Sequence, residues 1–314
     1  MKDRTLKVME RLSTNKDPLA KFLRIQRSIA ALPIIAVYSI VGLYFTRFNF
    51  FSLKFLLGAI VLYLLSVAVN GYNNLFDIEE DKLAISTGIV KANYLLKEFS
   101  FRQLKWNFIL TSIAMFCILL FIGNLEFTVL CGFTFALGIV YTKPIRLKNR
   151  PFIGTFSNTY GFSILPVLSC YFLFGGVLTT TIAFIMAIFL PTFSSCLIAE
   201  IADLKVDGKI GTRTTARWLG KRAKTVIKAV LILSVVFYFV AIYIQWAVIL
   251  VTPFILAILY ETYKLYRDFS DKKADYTLIR IGAQVSRGLI IYVLSVIILN
   301  WSASSILISL FFEA

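Results

Sequence analysis

The chain has 314 residues, 59% hydrophobic and 15% aromatic, with a mean hydropathy of +0.80 and a formal net charge of +16. So apolar a composition leaves too little polar side-chain surface to cover a soluble domain of this size. The absence of histidine excludes imidazole as a metal ligand, an axial haem ligand or a general base.

Residues 1–27 form a basic segment without the short apolar core and small-residue cleavage site of a secretory signal, so no cleavable leader is expected. Apolar runs long enough to cross a hydrocarbon layer as helix then recur to the C-terminus. Nine spans are predicted, at 28–46, 53–76, 107–123, 125–142, 153–175, 178–202, 225–246, 247–263 and 282–303. The fold class is therefore all-α and polytopic, with residues 1–314 as one membrane domain.

Of the 33 Lys and Arg residues, all but Arg47 and Lys54 fall in the N-terminal segment, in the connections 77–106, 143–152, 203–224 and 264–281, or at the adjoining helix ends. Such asymmetry places those segments, and the N-terminus, in the cytoplasm and the C-terminus on the opposite side. The positive charge thus reads as membrane topology, and no nucleic-acid partner is expected. Four prolines, Pro33, Pro166, Pro191 and Pro253, sit within spans, where packing tolerates them. The cysteines Cys117, Cys131, Cys170 and Cys196 lie singly in apolar runs, without the spacing of a disulfide framework or zinc site.

Three constellations carry chemistry. At the end of the second span, Asn73, Asp77 and Asp81 are spaced i, i+4, i+8, one face of a helix over about 12 Å of axis. Oxygen-bearing side chains in such a row suit a hard cation such as Mg²⁺. Ionisable groups this close to a membrane are costly unless paired or metal-bound. Glu79 and Glu80 point off that face and read as a solvated helix end. At the end of the sixth span, Asp203 and Asp207 repeat the spacing, 126 positions after Asp77 and Asp81. That offset hints at two four-helix units plus a ninth helix. The third constellation, Tyr141-Thr-Lys143-Pro-Ile-Arg146-Leu-Lys148-Asn-Arg150, follows the fourth span. Its Tyr141, Lys143 and Arg146 lie nearest the membrane, suited to complement a diphosphate, whereas Lys148 and Arg150 read as cytoplasmic anchors. Arg24, Arg27, Lys91 and Arg213 are lesser candidates for the same task, and Tyr72, Tyr141 and Tyr160 offer π faces to a carbocation.

These residues resemble the UbiA superfamily of intramembrane prenyltransferases. The likeness rests on the nine spans, on Asn73-x3-Asp77-x3-Asp81, and on Asp203-x3-Asp207-Gly208 with the trailing Gly211-Thr-Arg-Thr-Thr and Trp218-Leu-Gly220. Tyr141 and Lys143 match the Tyr/Lys segment between spans four and five. The resemblance implies helices around a central cavity and an active site at the cytoplasmic side. There Asn73, Asp77, Asp81, Asp203 and Asp207 would hold Mg²⁺ and act with Tyr141, while Lys143, Arg146, Arg27, Lys91 and Arg213 would bind diphosphate. A prenyl diphosphate donor and a lipophilic or aromatic acceptor would meet within membrane lipid. Two positions depart from the pattern. Asn74 stands where Asp is frequent, and no arginine follows Asp81 before Arg102, so Lys82 or Lys91 would substitute. Two alternatives use the same acids: a terpene cyclase that needs no external acceptor, and a cation transporter. Against the transporter, the acids gather at one membrane face, away from the midplane.

Overall fold

The computed structural model describes residue 25, residues 28–45, 52–77 and 99–244, and the single positions 256, 259, 260, 263, 264 and 267. Every regular element among the described residues is helical, as backbone in lipid requires when no water can satisfy it. In chain order they are α1 (Ser28–Phe45), α2 (Leu53–Phe76), α3 (Phe101–Ile122), α4 (Leu125–Thr142), α5 (Ile153–Thr159), α6 (Leu165–Phe174), α7 (Leu178–Ile210), α8 (Thr215–Leu219) and α9 (Ala223–Ile244). A 3₁₀ turn, Leu147–Asn149, precedes α5, and a π turn, Tyr160–Ile164, joins α5 to α6.

Five stretches are long and apolar enough to cross a membrane: Leu53–Phe76, Phe101–Ile122, Leu125–Thr142, Leu178–Ile201 and Thr215–Ile244. The predicted spans 247–263 and 282–303 lie outside the described segments. Helix α3 starts six residues before the predicted 107, because Ser100 and Gln103 form a reciprocal capping box ahead of the apolar run. Helix α7 extends past the predicted 202 to Ile210, carrying Asp203 and Asp207 on helical backbone. It stops at Gly211, whose φ of 80° suits a left-handed cap.

The helices pack as a series of neighbours. Helix α2 lies against α1, α3 and α4; α4 leads to α6 and α5; α5 and the π turn rest on α7; and α7 pairs with α9. Tyr38, Leu62, Leu65, Met115, Leu119, Phe127, Leu165, Phe184 and Ile188 fill the shared core. Close approach depends on two glycines. A Cβ on Gly138 would lie 2.5 Å from both methyls of Val69, so α4 reaches α2 only because that position is bare. At the other end of α2, a Cβ on Gly58 would fall 2.2 Å from the hydroxyl of Tyr38, which donates to the Phe55 carbonyl. The outer faces expose Leu110, Leu120, Phe121, Val129, Phe133 and Phe239, an apolar surface facing lipid.

Candidate active site

Three helix ends meet at one side of the bundle, and each ends for a local reason. Helix α2 finishes at Phe76, and Asp77 is its cap, with φ −98°, ψ 11° and an N–H bonded to the Asn73 carbonyl. The predicted stripe therefore runs on helix only through Asn73; Asp77 leaves it, and Asp81 lies outside the described residues. Helix α4 finishes at Thr142, where Lys143 turns extended and the following residue is proline.

The ends of α2 and α4 are bonded side chain to side chain. Thr142 Oγ1 donates to Asn73 Oδ1 at 2.9 Å. Past the loop, Lys148 Nζ reaches Asp77 Oδ1 at 2.5 Å, and both side chains are largely buried. Sequence reading took Lys148 for an anchor at the membrane surface; the loop instead folds it back onto the acid. Two features bring it there: Arg146 adopts left-handed backbone (φ 59°, ψ 56°), and the 3₁₀ turn follows at once. Lys143, expected to bind phosphate, stands exposed with its ammonium 5.0 Å from the centre of the Phe76 ring. Arg146 is part-buried and Arg213 exposed. Arg27 and Lys91 lie outside the described residues.

Asp203 and Asp207 are part-buried on the last turns of α7. Tyr141 is part-buried on the last turn of α4, next to Thr142. The two other tyrosines considered lie elsewhere. Tyr72 packs on Phe76 and Phe108, between α2 and α3, and Tyr160 is buried beside Thr134 and Phe133.

The donor set is oxygen only: the Asn73 amide and the carboxylates of Asp77, Asp203 and Asp207. That is the ligand chemistry of a hard, hydrated cation such as Mg²⁺. Thr142 and Lys148 each occupy one acceptor position and leave others open, because an amide oxygen has two and a carboxylate about four. Among the described residues no three His, Cys, Asp or Glu side chains gather into a tight metal cage. Buried Asn74 adds an amide whose nitrogen and oxygen both lack a partner.

Sequence reading missed Thr142, Glu200 and the role of Lys148. Glu200 had a signal, since Glu200, Asp203 and Asp207 fall within about 60° of one helical face. Thr142 and Lys148 had none, because Thr142 meets Asn73 only through the packing of α4 on α2 and Lys148 reaches the site through a turn that periodicity does not describe.

The profile of the UbiA prenyltransferase family matches residues 34–287. The chain belongs to that family. No curated protein matches it. Solved UbiA structures share its fold. A UbiA homologue from Archaeoglobus fulgidus bound to DMAPP and Mg²⁺ superposes with a TM-score of 0.70 at 21% identity, covering 88% of this chain and 99% of that one. The apo UbiA homologue from Aeropyrum pernix K1 gives 0.62 at 16% identity, covering 87% and 98%. A structure of digeranylgeranylglyceryl phosphate synthase gives 0.59 at 19%, covering 88% and 99%.

Proposed function

We propose that this UbiA family member transfers a prenyl group from an isoprenoid diphosphate to a lipophilic or aromatic acceptor inside the membrane, releasing diphosphate, with Mg²⁺ as cofactor. The observation that supports the reading is the run of contacts between the ends of α2 and α7: Asp77 bonds Lys148, the Lys148 backbone lies against Gly154, and the adjacent Thr155 donates to Glu200, one turn before Asp203. On this reading the two acidic helix ends face one space. The A. fulgidus homologue, bound to DMAPP or to GPP together with Mg²⁺, supports the same donor class.

Asn73, Asp77, Asp81, Asp203 and Asp207 hold Mg²⁺ on this reading. A Mg²⁺ ion held by these residues would supply the positive charge that a diphosphate leaving group needs. Lys148 and Arg146, brought in by the loop after α4, add positive charge on the diphosphate oxygens, and Lys143, Arg213, Lys91 and Arg27 are the further candidates to bind it. Lys148 exchanges Asp77 for phosphate as the donor arrives. The Tyr141 ring covers the allylic carbon, and the apolar helix walls exclude water from it. The basic loops, and hence this site, face the cytoplasm, with nine spans in all.

The test is turnover by the purified full chain with Mg²⁺, labelled geranyl or geranylgeranyl diphosphate, and a panel of quinone-precursor, aromatic and glycerol-phosphate acceptors. Pyrophosphate release that requires one acceptor, and disappears in Asp77→Ala and Asp203→Ala, is expected. Release without acceptor, yielding hydrocarbon, would assign a cyclase. No release with any pair, together with unaltered diphosphate binding in both variants, would sink the reading.

A further inference from the structure

The carboxylate of Glu200 sits one turn before Asp203 on α7, yet it faces neighbouring protein rather than solvent. Thr155 Oγ1 donates to Glu200 Oε1, and the Ala216 N–H donates to Oε2 at 3.0 Å, with the Thr215 N–H nearby as a further donor. Thr215 Oγ1 in turn accepts from the Phe152 N–H at 2.7 Å and touches Thr155 Oγ1. Proton accounting fixes the direction of this chain. The single Thr155 proton goes to the carboxylate, so Thr215 must donate to Thr155 while it accepts from Phe152. Glu200 therefore ties three segments together: its own helix, the start of α5, and the start of α8.

The tie reaches the phosphate side of the site through Gly154. A Cβ there would lie 2.9 Å from the Leu147 carbonyl oxygen and 3.0 Å from Lys148 Cα, so the first turn of α5 presses directly on the backbone that carries Lys148. Phe152 is held at φ 62°, ψ −47°, a conformation that a residue with a side chain keeps only when its surroundings impose it. The Thr215 bond and the Trp218 ring, 5.0 Å from that of Phe152, impose it here.

We propose that Glu200 is a positioning residue: through Thr155, Thr215 and the bare Gly154 it sets the place of Lys148, and so the register between Asp77 and the Asp203/Asp207 pair. This deepens the prenyl diphosphate reading and rests on it. Glu200 itself touches neither metal nor substrate. Its action is on head-group binding alone, because the hydrocarbon chain is held by helix walls away from this latch.

The full chain in detergent or nanodiscs is titrated with geranyl diphosphate and, separately, with inorganic pyrophosphate, both with Mg²⁺. Backbone amide exchange at Phe152 and Ala216 is followed in parallel. Glu200→Ala is expected to weaken both ligands by the same factor, about tenfold, and to speed exchange at both amides. Glu200→Gln, which keeps an acceptor for the Ala216 N–H, is expected to recover most of the loss. If Glu200→Ala does not fold, Thr215→Val removes the Phe152 acceptor while keeping the side-chain shape, and carries the same expectation. Wild-type affinity in a variant whose two amides exchange fast would overturn the inference, as would a loss confined to geranyl diphosphate. Wild-type protein that binds neither ligand would instead remove the proposed function, and this inference with it.

Discussion

Lys148 Nζ lies 2.5 Å from Asp77 Oδ1, joining residues 71 positions apart in sequence. The lysine thus occupies one oxygen of an acid proposed as a metal ligand, and on that reading Asp77 and phosphate compete for it. Lys148→Met is expected to move two affinities in opposite directions. Mg²⁺ alone binds more tightly, because no ammonium competes for Asp77. Geranyl diphosphate with Mg²⁺ binds about tenfold more weakly for want of a charge-assisted hydrogen bond. Isothermal titration of each ligand reads both; two shifts of the same sign would contradict the exchange of partners.

Asp77→Asn, Asp203→Asn and Asp207→Asn should each reduce Mg²⁺-dependent binding of geranyl diphosphate by roughly 100-fold or more, since each removes a charged oxygen ligand. Chelation of the wild-type chain with EDTA should do the same and leave its thermal unfolding curve in place. A lower unfolding temperature on chelation would mean that the metal is structural.

Thr142→Val keeps the shape of the side chain and deletes the only donor it offers to Asn73 Oδ1. The expected cost is about 1 kcal/mol, or roughly a fivefold loss of diphosphate affinity with Mg²⁺. Equal affinity in the two proteins would show that Asn73 does not need to be oriented.

Gly138→Ala forces a methyl against both Val69 methyls, and overpacking of this kind costs about 1–3 kcal/mol. Gly132→Ala on the same helix meets nothing within 4 Å and should be neutral or slightly stabilising. Unfolding temperatures of the two variants, measured side by side in one detergent, separate close helix approach from a general intolerance of change in α4.

Much of the fold was legible because each span is a long apolar run with polar residues at its ends. Leu53–Phe76 and Leu125–Thr142 match the predicted limits for that reason. Helix α7 outran its prediction because hydropathy reports the depth of the membrane, whereas the helix is ended by Gly211. That Asp203 and Asp207 share a helical face could be read from their spacing. The loop after α4 could not: Arg146 in left-handed backbone and the turn at Leu147–Asn149 reverse the chain, and only then does Lys148 meet Asp77. Glu200 lay in plain sight beside Asp203, but its partners Thr155 and Ala216 come from segments that no local pattern associates with it.

The wide turn at Tyr160–Ile164 divides the apolar run from Ile153 to Phe174 into two cylinders that are out of phase. A single extra residue relative to α-helical register rotates everything beyond it by about 100°. Thr155 on the near half can therefore address α7, while Cys170 on the far half turns to the Tyr38 carbonyl of α1. Deleting one residue at this joint would leave a run of nearly the same length and hydrophobicity, yet aim one of its halves at the wrong neighbour. Gene variants that lose a codon here should fail in assembly, although any hydropathy profile would pass them as intact.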